Sequence, residues 1–270
     1  MKNILVTGAS GGMGRATISH LAKGDCRVFA LDRVPCEANE NVIPIVADLT
    51  DPDSVTSAFE RIKTEAGELH AVIHLAGIYL LDSLVEISPE DFERAFRVNL
   101  GCAFLVNKTF LPLLSTGAKI VHVTSELAVR DPLPFTGLYA ITKAALDRYC
   151  YSLRMELQLK DISVSVLRAG AVDTGMIGAS TAQLDAFCRD TKLYSCNAKR
   201  FRRIVDSVEA KRIPPERIAK KLAKILAKRK PRFAYAINRN PLLILFDILP
   251  KRLRFSLIRN ILKDKKEISL

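Results

Sequence analysis

The chain has 270 residues, of which 49% are apolar, and this is enough for one large hydrophobic core in a single domain. The formal net charge of +12 is concentrated in the last third, but no nucleic-acid motif or aromatic stacking pattern accompanies it, so we expect no nucleic-acid partner. Six cysteines without a CxxC pair or a cluster with histidine argue against disulfides and metal sites, and they predict reduced thiols in a cytoplasmic protein.

The first predicted unit is a strand, a glycine-rich turn and a helix. The chain opens directly on this strand, so we expect no signal peptide or amino-terminal anchor. In the sequence GASGGMG, Gly8 permits a tight turn, Gly12 lets the backbone approach a pyrophosphate, and Gly14 allows the helix to pack closely on the strand. Backbone amides at the start of the helix can hold anionic oxygens. This order is typical of a dinucleotide-binding unit.

The second predicted strand, CRVFALD, ends at Asp32, eighteen residues after Gly14. A carboxylate at this place can accept hydrogen bonds from both hydroxyls of an adenosine ribose, and its charge would repel a 2′-phosphate. Arg33 beside it and Arg15 after the glycine loop could each attract such a phosphate. The pattern therefore favours NAD(H) and leaves NADP(H) open.

Strand and helix patterns alternate along the rest of the chain. Further strands are predicted at residues 41–49, 70–77, 119–125 and 162–170, and helices at about 53–65, 89–115 and 139–159. This alternation predicts an α/β fold with a doubly wound parallel sheet, whose ligand sites lie beyond the carboxyl ends of the strands. The residues predicted at such ends are Asp48, Gly77, Ser125 and Gly170.

Tyr139 and Lys143 lie four residues apart in YAITK, with Ser125 fourteen positions upstream. The pair shares one helix face, so the ammonium is expected to stabilise the phenolate and to lower the tyrosine pKa from about 10 toward the working pH. Tyr139 is thus predicted to be the general acid/base for a hydride transfer, while Ser125 holds the substrate oxygen. One YxxxK alone is expected by chance, and it gains weight from the glycine loop and Asp32.

These motifs together resemble the short-chain dehydrogenase/reductase (SDR) family over roughly residues 3–174, and hydroxysteroid or retinol dehydrogenase-like members in particular. The glycine loop matches TGxxxGxG, HLAG at 74–77 corresponds to the NNAG strand end, and RAGAVDT at 168–174 resembles the PGxxxT segment. The resemblance implies a single Rossmann-like domain and an NAD(P)-dependent oxidoreductase acting on CH–OH groups. It implies the catalytic set Asn99, Ser125, Tyr139 and Lys143.

Several further roles follow only from this resemblance. Lys143 would also bind the nicotinamide ribose, and Asn99 would hold a water that links the lysine to solvent. Asp48 with Leu49 would contact adenine, although an acid leading the next helix is an alternative role for Asp48. The cofactor-binding residues that we expect are Gly8, Ser10, Gly12, Met13, Gly14, Asp32, Arg33, Asp48, Leu49, Ala76, Gly77, Tyr139, Lys143, Gly170, Val172 and Thr174.

The chain departs from the family pattern at three places. His74 and Leu75 replace the two asparagines of the NNAG motif, so local support of that strand is expected to differ. Ala169 replaces the usual proline, which should loosen the turn beside the nicotinamide. Ser125 lies one residue further from Tyr139 than usual, which makes Glu126 a rival; we retain Ser125 because an ionised carboxylate would repel a developing alkoxide.

We expect a catalytic domain at residues 1–237, with a helical lid near 175–213 that sets specificity. Apolar lid residues indicate either a large hydrophobic pocket or an ordinary amphipathic helix; with two residues before Tyr139 they are Met176, Ile177, Leu184, Phe187, Leu193, Leu133 and Phe135. A pocket suits an apolar alcohol or ketone such as a steroid or retinoid. Alternatives are an acyl-carrier or fatty carbonyl substrate, consistent with basic Lys192, Lys199 and Arg200, and a nucleotide-sensing protein without turnover.

Residues 238–270 form a basic, apolar extension whose longest apolar run stops at Asp247 and Pro250, so it cannot span a bilayer. It could lie on an anionic membrane through a stripe of apolar residues, or dock on the domain or at a subunit interface of a homodimer or homotetramer. The stripe comprises Leu253, Phe255, Leu257 and Ile258 among Lys251, Arg252, Arg254 and Arg259.

Overall fold

The computed structural model describes residues 1–208 and 212–263, without the side chains of residues 176–180 and 206–208. A parallel sheet of seven strands runs through these residues in the order β3-β2-β1-β4-β5-β6-β7. The strands are β1 (Lys2–Thr7), β2 (Cys26–Asp32), β3 (Val42–Val46), β4 (Leu69–His74), β5 (Leu114–Ser125), β6 (Ser163–Ala169) and β7 (Ala234–Ile237). The predicted doubly wound sheet is therefore confirmed.

Helices cover both faces of this sheet. They are α1 (Gly12–Leu21), α2 (Pro52–Ala66), α3 (Pro89–Phe96), α4 (Cys102–Phe110), α5 (Gly137–Leu157), α6 (Gly175–Asp190), α7 (Ser195–Val208), α8 (Pro215–Leu226), α9 (Pro241–Ile248) and α10 (Lys251–Leu262). α2 begins after Asp51, whose carboxylate accepts hydrogen bonds from the Asp53 and Ser54 amides, and it ends at Gly67, where φ is 71°. Such caps satisfy backbone groups that a helix leaves without partners.

Alternate residues of the central strands pack on opposite faces of the sheet. Leu5 and Phe29 join one core with α2, α4 and α5, whereas the adjacent Ile4 and Val28 join a second core with α1 and α8. Both faces are thus buried, which explains why these strands are almost continuously apolar instead of alternating with polar residues.

Two features differ from the predicted elements. The helix expected at 89–115 is interrupted by a π-helical turn, Arg97–Gly101, between α3 and α4. β7, which was not predicted, is only four residues long, and it adds to the sheet by pairing with β6 from Val166 to Ala169. Short strands give little sequence signal, and a π turn leaves the apolar periodicity almost unchanged.

A third, smaller core lies outside the sheet and joins α6, α7 and α10. Its buried residues include Leu184, Phe187 and Phe201, and Leu262 near the end of α10 packs against the same cluster. The Asn197 side chain donates a hydrogen bond of 2.7 Å to the Leu262 carbonyl oxygen. The carboxyl-terminal helix is therefore docked on the lid.

Candidate active site

A cleft of about 510 Å³ lies at the carboxyl ends of β1 to β4. The strand order reverses between β1 and β4, and doubly wound sheets bind ligands at such a switch point. The predicted cofactor-binding residues on the wall of the cleft are Gly8, Gly12, Met13, Gly14, Asp32, Arg33, Asp48, Leu49, Ala76, Gly77 and Thr174.

The glycine loop leaves no room for side chains. Gly8 has a φ of 68°, and a Cβ there would lie 2.5 Å from the Ala76 nitrogen. A Cβ at Gly14 would lie 2.1 Å from the Gly8 carbonyl oxygen, and one at Gly12 would lie 2.9 Å from Thr174 Cβ. Backbone amides at the start of α1 thus line the cleft without intervening side chains, and this fits the pyrophosphate of a dinucleotide.

The carboxylate of Asp32 stabilises the adenosine end of the cleft. It accepts hydrogen bonds from the Ser10 amide at 3.0 Å and from the Val34 amide at 3.3 Å. Ser10 therefore shapes the loop, and it is absent from the wall that the described residues form. Arg15 and Arg33 are both exposed on the cleft wall, and Arg15 donates a hydrogen bond of 2.6 Å to the Ser10 carbonyl oxygen.

Asp48 has both a structural role and a place on the wall. Its carboxylate accepts hydrogen bonds from the amide and hydroxyl of Thr50 at 2.8 and 2.7 Å, and these bonds lower its pKa. The acid at the start of α2 is instead Asp51, which caps that helix. The Asp48 carboxylate thus braces the β3–α2 loop, whose residues include Leu49 on the cleft wall.

Ser125 ends β5, and its hydroxyl, which accepts a hydrogen bond of 3.1 Å from the Leu127 amide, lies beside the phenol of Tyr139 near the start of α5. Burial raises the pKa of Tyr139 to about 12, because desolvation outweighs the opposite effect of the Ser125 side chain. The predicted fall of this pKa toward the working pH is therefore wrong: the ammonium nitrogen of Lys143 lies 5.6 Å from the Tyr139 ring centroid, but burial has the larger effect. Tyr139 is therefore a protonated phenol at neutral pH.

Lys143 and Asn99 converge on Gly77. A Cβ at Gly77 would lie 3.0 Å from Asn99 Oδ1 and 3.1 Å from Lys143 Nζ. Burial lowers the pKa of Lys143 to about 8. Asn99 lies in the π-helical turn, accepts a hydrogen bond of 2.8 Å from the Ile78 amide and donates one of 3.0 Å to the Ile78 carbonyl oxygen. A π turn can present one side chain in a direction that a regular helix would not give it, and such turns are frequent at functional sites.

Glu126, the rival of Ser125, has other partners. Its carboxylate accepts a hydrogen bond of 2.9 Å from the Asn240 amide and lies 3.7 Å from the buried guanidinium of Arg130. Gly170 lies beside this contact, since a Cβ there would lie 1.9 Å from the Asn238 carbonyl oxygen. Glu126 thus connects β5 to the segment after β7, and Ser125 is the residue beside the Tyr139 phenol.

The segment after β6 is not loosened by the alanine at position 169. Ala169 pairs with Ser125 of β5 and with Ile237 of β7, and the Gly170 amide donates a hydrogen bond of 3.0 Å to the Ile237 carbonyl oxygen. Val172 is buried and forms an isolated bridge with Ile213. Gly170 and Val172 therefore hold this turn in place and are absent from the described wall of the cleft.

His74, at the first NNAG position, forms part of a buried polar group. Its Nε2 lies 2.9 Å from Asn107 Oδ1, and its ring stacks on His122 with centroids 4.1 Å apart. Burial lowers the pKa of His74 to about 4, so the ring is neutral. In this chain the strand end is therefore supported by Asn107 of α4.

The lid is connected to the loop after β4 through side chains. Gln183 of α6 accepts a hydrogen bond of 3.0 Å from the Leu81 amide and donates one of 2.8 Å to the Tyr79 carbonyl oxygen. Glu86 accepts hydrogen bonds from the Thr191 hydroxyl and from the amides of Lys192 and Leu193. These contacts hold α6 over one end of the cleft.

The apolar residues predicted to line a pocket are found in three situations. Leu184, Phe187 and Phe135 pack together in the lid core, as the amphipathic-helix alternative predicts, whereas Leu193 is 65% exposed. Leu133 is half-buried, and the side chains of Met176 and Ile177 lie outside the described residues. Phe135 has a φ of 65°, which is unfavourable for a residue with a side chain, and its contacts with three aromatic rings offset that cost.

Tyr79 and Gln183 are the site residues that sequence reasoning missed. The Tyr79 ring contacts the Tyr139 ring with centroids 4.7 Å apart, and both Tyr79 and Gln183 lie on the cleft wall. The position of Tyr79, two residues beyond the strand end at Gly77, was an available signal. Gln183 had none, because its placement depends on how the lid packs.

The residues that the structure describes contain no group of three histidine, cysteine, aspartate or glutamate side chains arranged to hold a metal ion. None of their helices combines the length and apolar character that crossing a membrane requires.

Comparison with known proteins gives consistent matches. The chain is 26% identical over 232 residues to a 3-ketodihydrosphingosine reductase of Bacteroides thetaiotaomicron, with 85% of each chain covered. It is 31% identical over 191 residues to mouse estradiol 17-beta-dehydrogenase 2, covering 66% of this chain and 50% of that protein. A solved short chain dehydrogenase family protein from Francisella tularensis superposes with a TM-score of 0.74 at 23% identity, over 88% of this chain and 97% of that one.

The family model described as short chain dehydrogenase matches residues 2–185, which include the glycine loop, Ser125, Tyr139 and Lys143. Relatives in this family are oxidoreductases that act on CH–OH or carbonyl groups with NAD(P). This chain therefore belongs to the short-chain dehydrogenase/reductase family and is an oxidoreductase.

Proposed function

We propose that this protein interconverts a secondary alcohol and a ketone on a bulky, mostly apolar substrate, with NAD(H) as the favoured cofactor. The observation that carries the proposal is the cluster of Ser125, Tyr139 and Lys143 beside the cleft. The Tyr139 ring contacts Tyr79 of the cleft wall, and a Cβ at Gly77 of that wall would lie 3.1 Å from Lys143 Nζ. A proton donor and a hydrogen-bond donor for one substrate oxygen thus lie next to one end of the cleft.

Tyr139 is proposed to transfer the proton. In reduction its phenol donates a proton to the carbonyl oxygen, and in oxidation the phenolate takes the hydroxyl proton back. Ser125 donates a hydrogen bond to the same oxygen and stabilises the charge that develops there. A nicotinamide bound in the cleft supplies or accepts the hydride. The raised pKa of Tyr139 keeps the phenol protonated, which suits the donating direction.

Lys143 and Asn99 are proposed to support this transfer. The ammonium is buried and lies 5.6 Å from the Tyr139 ring centroid, close enough to stabilise a phenolate formed in reduction. We also propose that Lys143 binds the nicotinamide ribose and that Asn99 holds the water that returns a proton to the lysine. Asn99 is positioned for this role by two hydrogen bonds to Ile78 and one to Thr142.

The preference for NAD(H) rests on Asp32. Its carboxylate is held at the adenosine end of the cleft by the Ser10 amide, where it would repel a 2′-phosphate. Arg15 already donates to the Ser10 carbonyl oxygen, so we propose that Arg33 is the stronger competitor for such a phosphate. Asp48 and Leu49 are proposed to contact adenine, and Thr174 the carboxamide.

A bulky apolar substrate agrees with the end of the cleft beside Tyr139. That wall includes Ile78, Tyr79, Leu80 and Gln183, and the lid covers it. The ketone and alcohol named for the two relatives, 3-ketodihydrosphingosine and estradiol, are both large and mainly apolar. We propose residues 1–237 as the catalytic unit, with a lid near 175–213, and residues 238–270 as an extension.

We further propose a cytoplasmic homodimer or homotetramer. Helices α4 and α5 leave Phe104, Tyr151 and Met155 about half exposed, which supports an interface there. Peripheral contact of residues 238–270 with a membrane is a separate proposal that depends on the exposed faces of α9 and α10.

The test is a screen of the purified chain with steroid, retinoid and long-chain ketones, run with NADH and NADPH side by side. We expect NADH consumption with at least one bulky ketone and little with small polar ketones. A protein that binds NADH but reduces none of these compounds, and oxidises none of the corresponding alcohols, would contradict the proposed substrate class.

A further inference from the structure

Helix α9 has an apolar face without a partner in the described structure. Six of its eight residues are leucine, isoleucine or phenylalanine, yet none is buried. Leu242, Leu245 and Ile248 follow one another at intervals of three, so they share one face, and they are 59%, 62% and 73% exposed. Helices on a globular domain normally turn such a face toward the core.

The orientation of α9 is fixed by its single acid. Asp247 forms an ion pair with Arg130, whose side chain is only 5% exposed, and lies 3.7 Å from Arg254. Arg254 in turn contacts Asp131 at 3.0 Å. The acidic side of α9 therefore faces the catalytic domain, and Leu242, Leu245 and Ile248 are left on the outside.

Helix α10 continues this surface with positive charge. Ile258 and Leu262 pack on the lid core, whereas Arg252, Phe255 and Arg259 are exposed, Phe255 by 72%. Their spacing of three and four residues places them on one helix face. Lys251, at the start of the helix, is also exposed at 69% and lies 3.5 Å from Asp131.

We infer that this surface docks on an anionic lipid bilayer. The docking face consists of Leu242, Leu245, Ile248 and Phe255 together with Lys251, Arg252 and Arg259. Apolar side chains of this kind enter the boundary between headgroups and acyl chains, while nearby lysines and arginines bind anionic headgroups.

Charge decides between a membrane and a second copy of this chain. Residues 239–263 contain six lysines and arginines and one acid, Asp247, which is already paired with Arg130. Two copies facing each other through this surface would bring like charges together, whereas an anionic bilayer complements them. The docking face does not depend on the proposed substrate class.

The docking face differs from the stripe expected from the sequence alone. Leu257 and Ile258 are half-buried, and the Arg254 side chain is 13% exposed and paired with Asp131. Of the apolar part of the stripe, Phe255 belongs to the docking face, and the other apolar residues of that face come from α9, whose outward side could not be predicted from its almost continuously apolar sequence.

Flotation of the full chain with vesicles tests this inference. The chain should float with phosphatidylcholine vesicles that contain phosphatidylserine, float less with pure phosphatidylcholine, and be released by high salt. Leu245→Glu with Ile248→Glu should lower the bound fraction at least about tenfold, since it places charges in the acyl boundary. Arg252→Gln with Arg259→Gln should remove the preference for phosphatidylserine.

Leu159→Glu is the matched control, because Leu159 is an 82% exposed leucine in the turn before β6 begins, at the end of the strands opposite to the end where α9 follows β7. This variant should bind vesicles as wild type does, and all variants should keep the wild-type melting temperature. A wild-type chain that stays unbound with phosphatidylserine vesicles overturns the inference, and so does equal binding by the Leu245→Glu, Ile248→Glu variant. Sedimentation in solution tests the alternative occupant, a second copy of this chain. If wild type does not float with vesicles but forms an oligomer that only the Leu245→Glu, Ile248→Glu variant abolishes, the face joins two copies.

Discussion

The cofactor-binding region and the lid with its carboxyl-terminal helices are held together by different kinds of contact. In the first, backbone meets backbone: a Cβ at Gly8 or Gly14 would collide with main-chain atoms. In the second, side chains make the connections, through Gln183, Glu86 and Asp247. Backbone contacts tolerate almost no substitution, whereas side-chain contacts can be exchanged. The first region thus suits a constant ligand, and the second suits a substrate that differs between relatives.

The largest loss of stability is expected from Gly14→Ala. The new methyl group would lie 2.1 Å from the Gly8 carbonyl oxygen and 2.5 Å from that of Ala9, so the loop must move. We expect a loss of at least about 2 kcal/mol of stability and at least tenfold weaker NADH binding. Thermal unfolding measures the stability, and NADH fluorescence measures the binding. Gly24→Ala is the control, since its Cβ would meet only the Leu21 carbonyl oxygen at 3.6 Å; equal effects would show that backbone packing is not what distinguishes the loop.

Asp247→Asn should have a smaller effect, confined to the second region. It removes one of the two acidic partners of Arg130, while Glu126 remains at 3.7 Å from that guanidinium. We therefore expect the free energy of unfolding to fall by about 1 to 2 kcal/mol. Faster proteolysis of the segment after β7, together with an unchanged NADH affinity, would show that the effect is confined to the second region. The control Asp190→Asn breaks an exposed pair with Arg189 and should change stability little. If the two variants lose the same stability, ionic contacts do not hold α9 and α10.

Asp32→Asn tests the charge in the cofactor region without changing its shape. An asparagine oxygen can still accept the Ser10 amide hydrogen bond, so only the repulsion of a 2′-phosphate is lost. The ratio of kcat/KM for NADPH to that for NADH should rise at least about tenfold. A ratio equal to that of wild type would show that Arg33 or the shape of the loop sets the preference.

The smallest effect concerns kcat/KM for reduction, which should change little with pH near neutrality. Burial lowers the pKa of Lys143 to about 8 and raises that of Tyr139 to about 12, so kcat/KM should fall above a pH of about 8 as the ammonium loses its proton. The phenol stays protonated throughout this range. In Lys143→Arg the guanidinium remains charged, and the alkaline fall should move upward in pH. An unchanged profile in that variant would exclude Lys143 as its origin.

The sequence predicted the cofactor region well because its determinants are local. Glycine spacing and the strand end at Asp32 depend on neighbouring residues, and eleven of the predicted cofactor-binding residues lie on the cleft wall. The other five are Ser10, Gly170 and Val172, which shape the backbone behind that wall, and Tyr139 and Lys143, which lie beside it next to Tyr79 and Gly77. The doubly wound parallel sheet was predicted from the alternation of strand and helix.

The lid and the tail could not be predicted to the same degree, because their contacts are distant in sequence. Gln183 bonds the backbone at Tyr79 and Leu81, about a hundred residues away, and Asp247 pairs with Arg130. The predicted direction of the Tyr139 pKa shift was wrong for a similar reason. Helix spacing indicated the nearby cation, but burial by the surrounding elements determines the direction of the shift.

Proton transfer by Tyr139 is tested most directly by measuring both the turnover and the NADH affinity of the Tyr139→Phe variant. The ring and its contact with Tyr79 are retained, so NADH should bind as in wild type, while turnover falls at least about a hundredfold. Tyr151→Phe, on the same helix and 52% exposed, should leave both unchanged. Wild-type turnover in Tyr139→Phe would contradict the proposed mechanism.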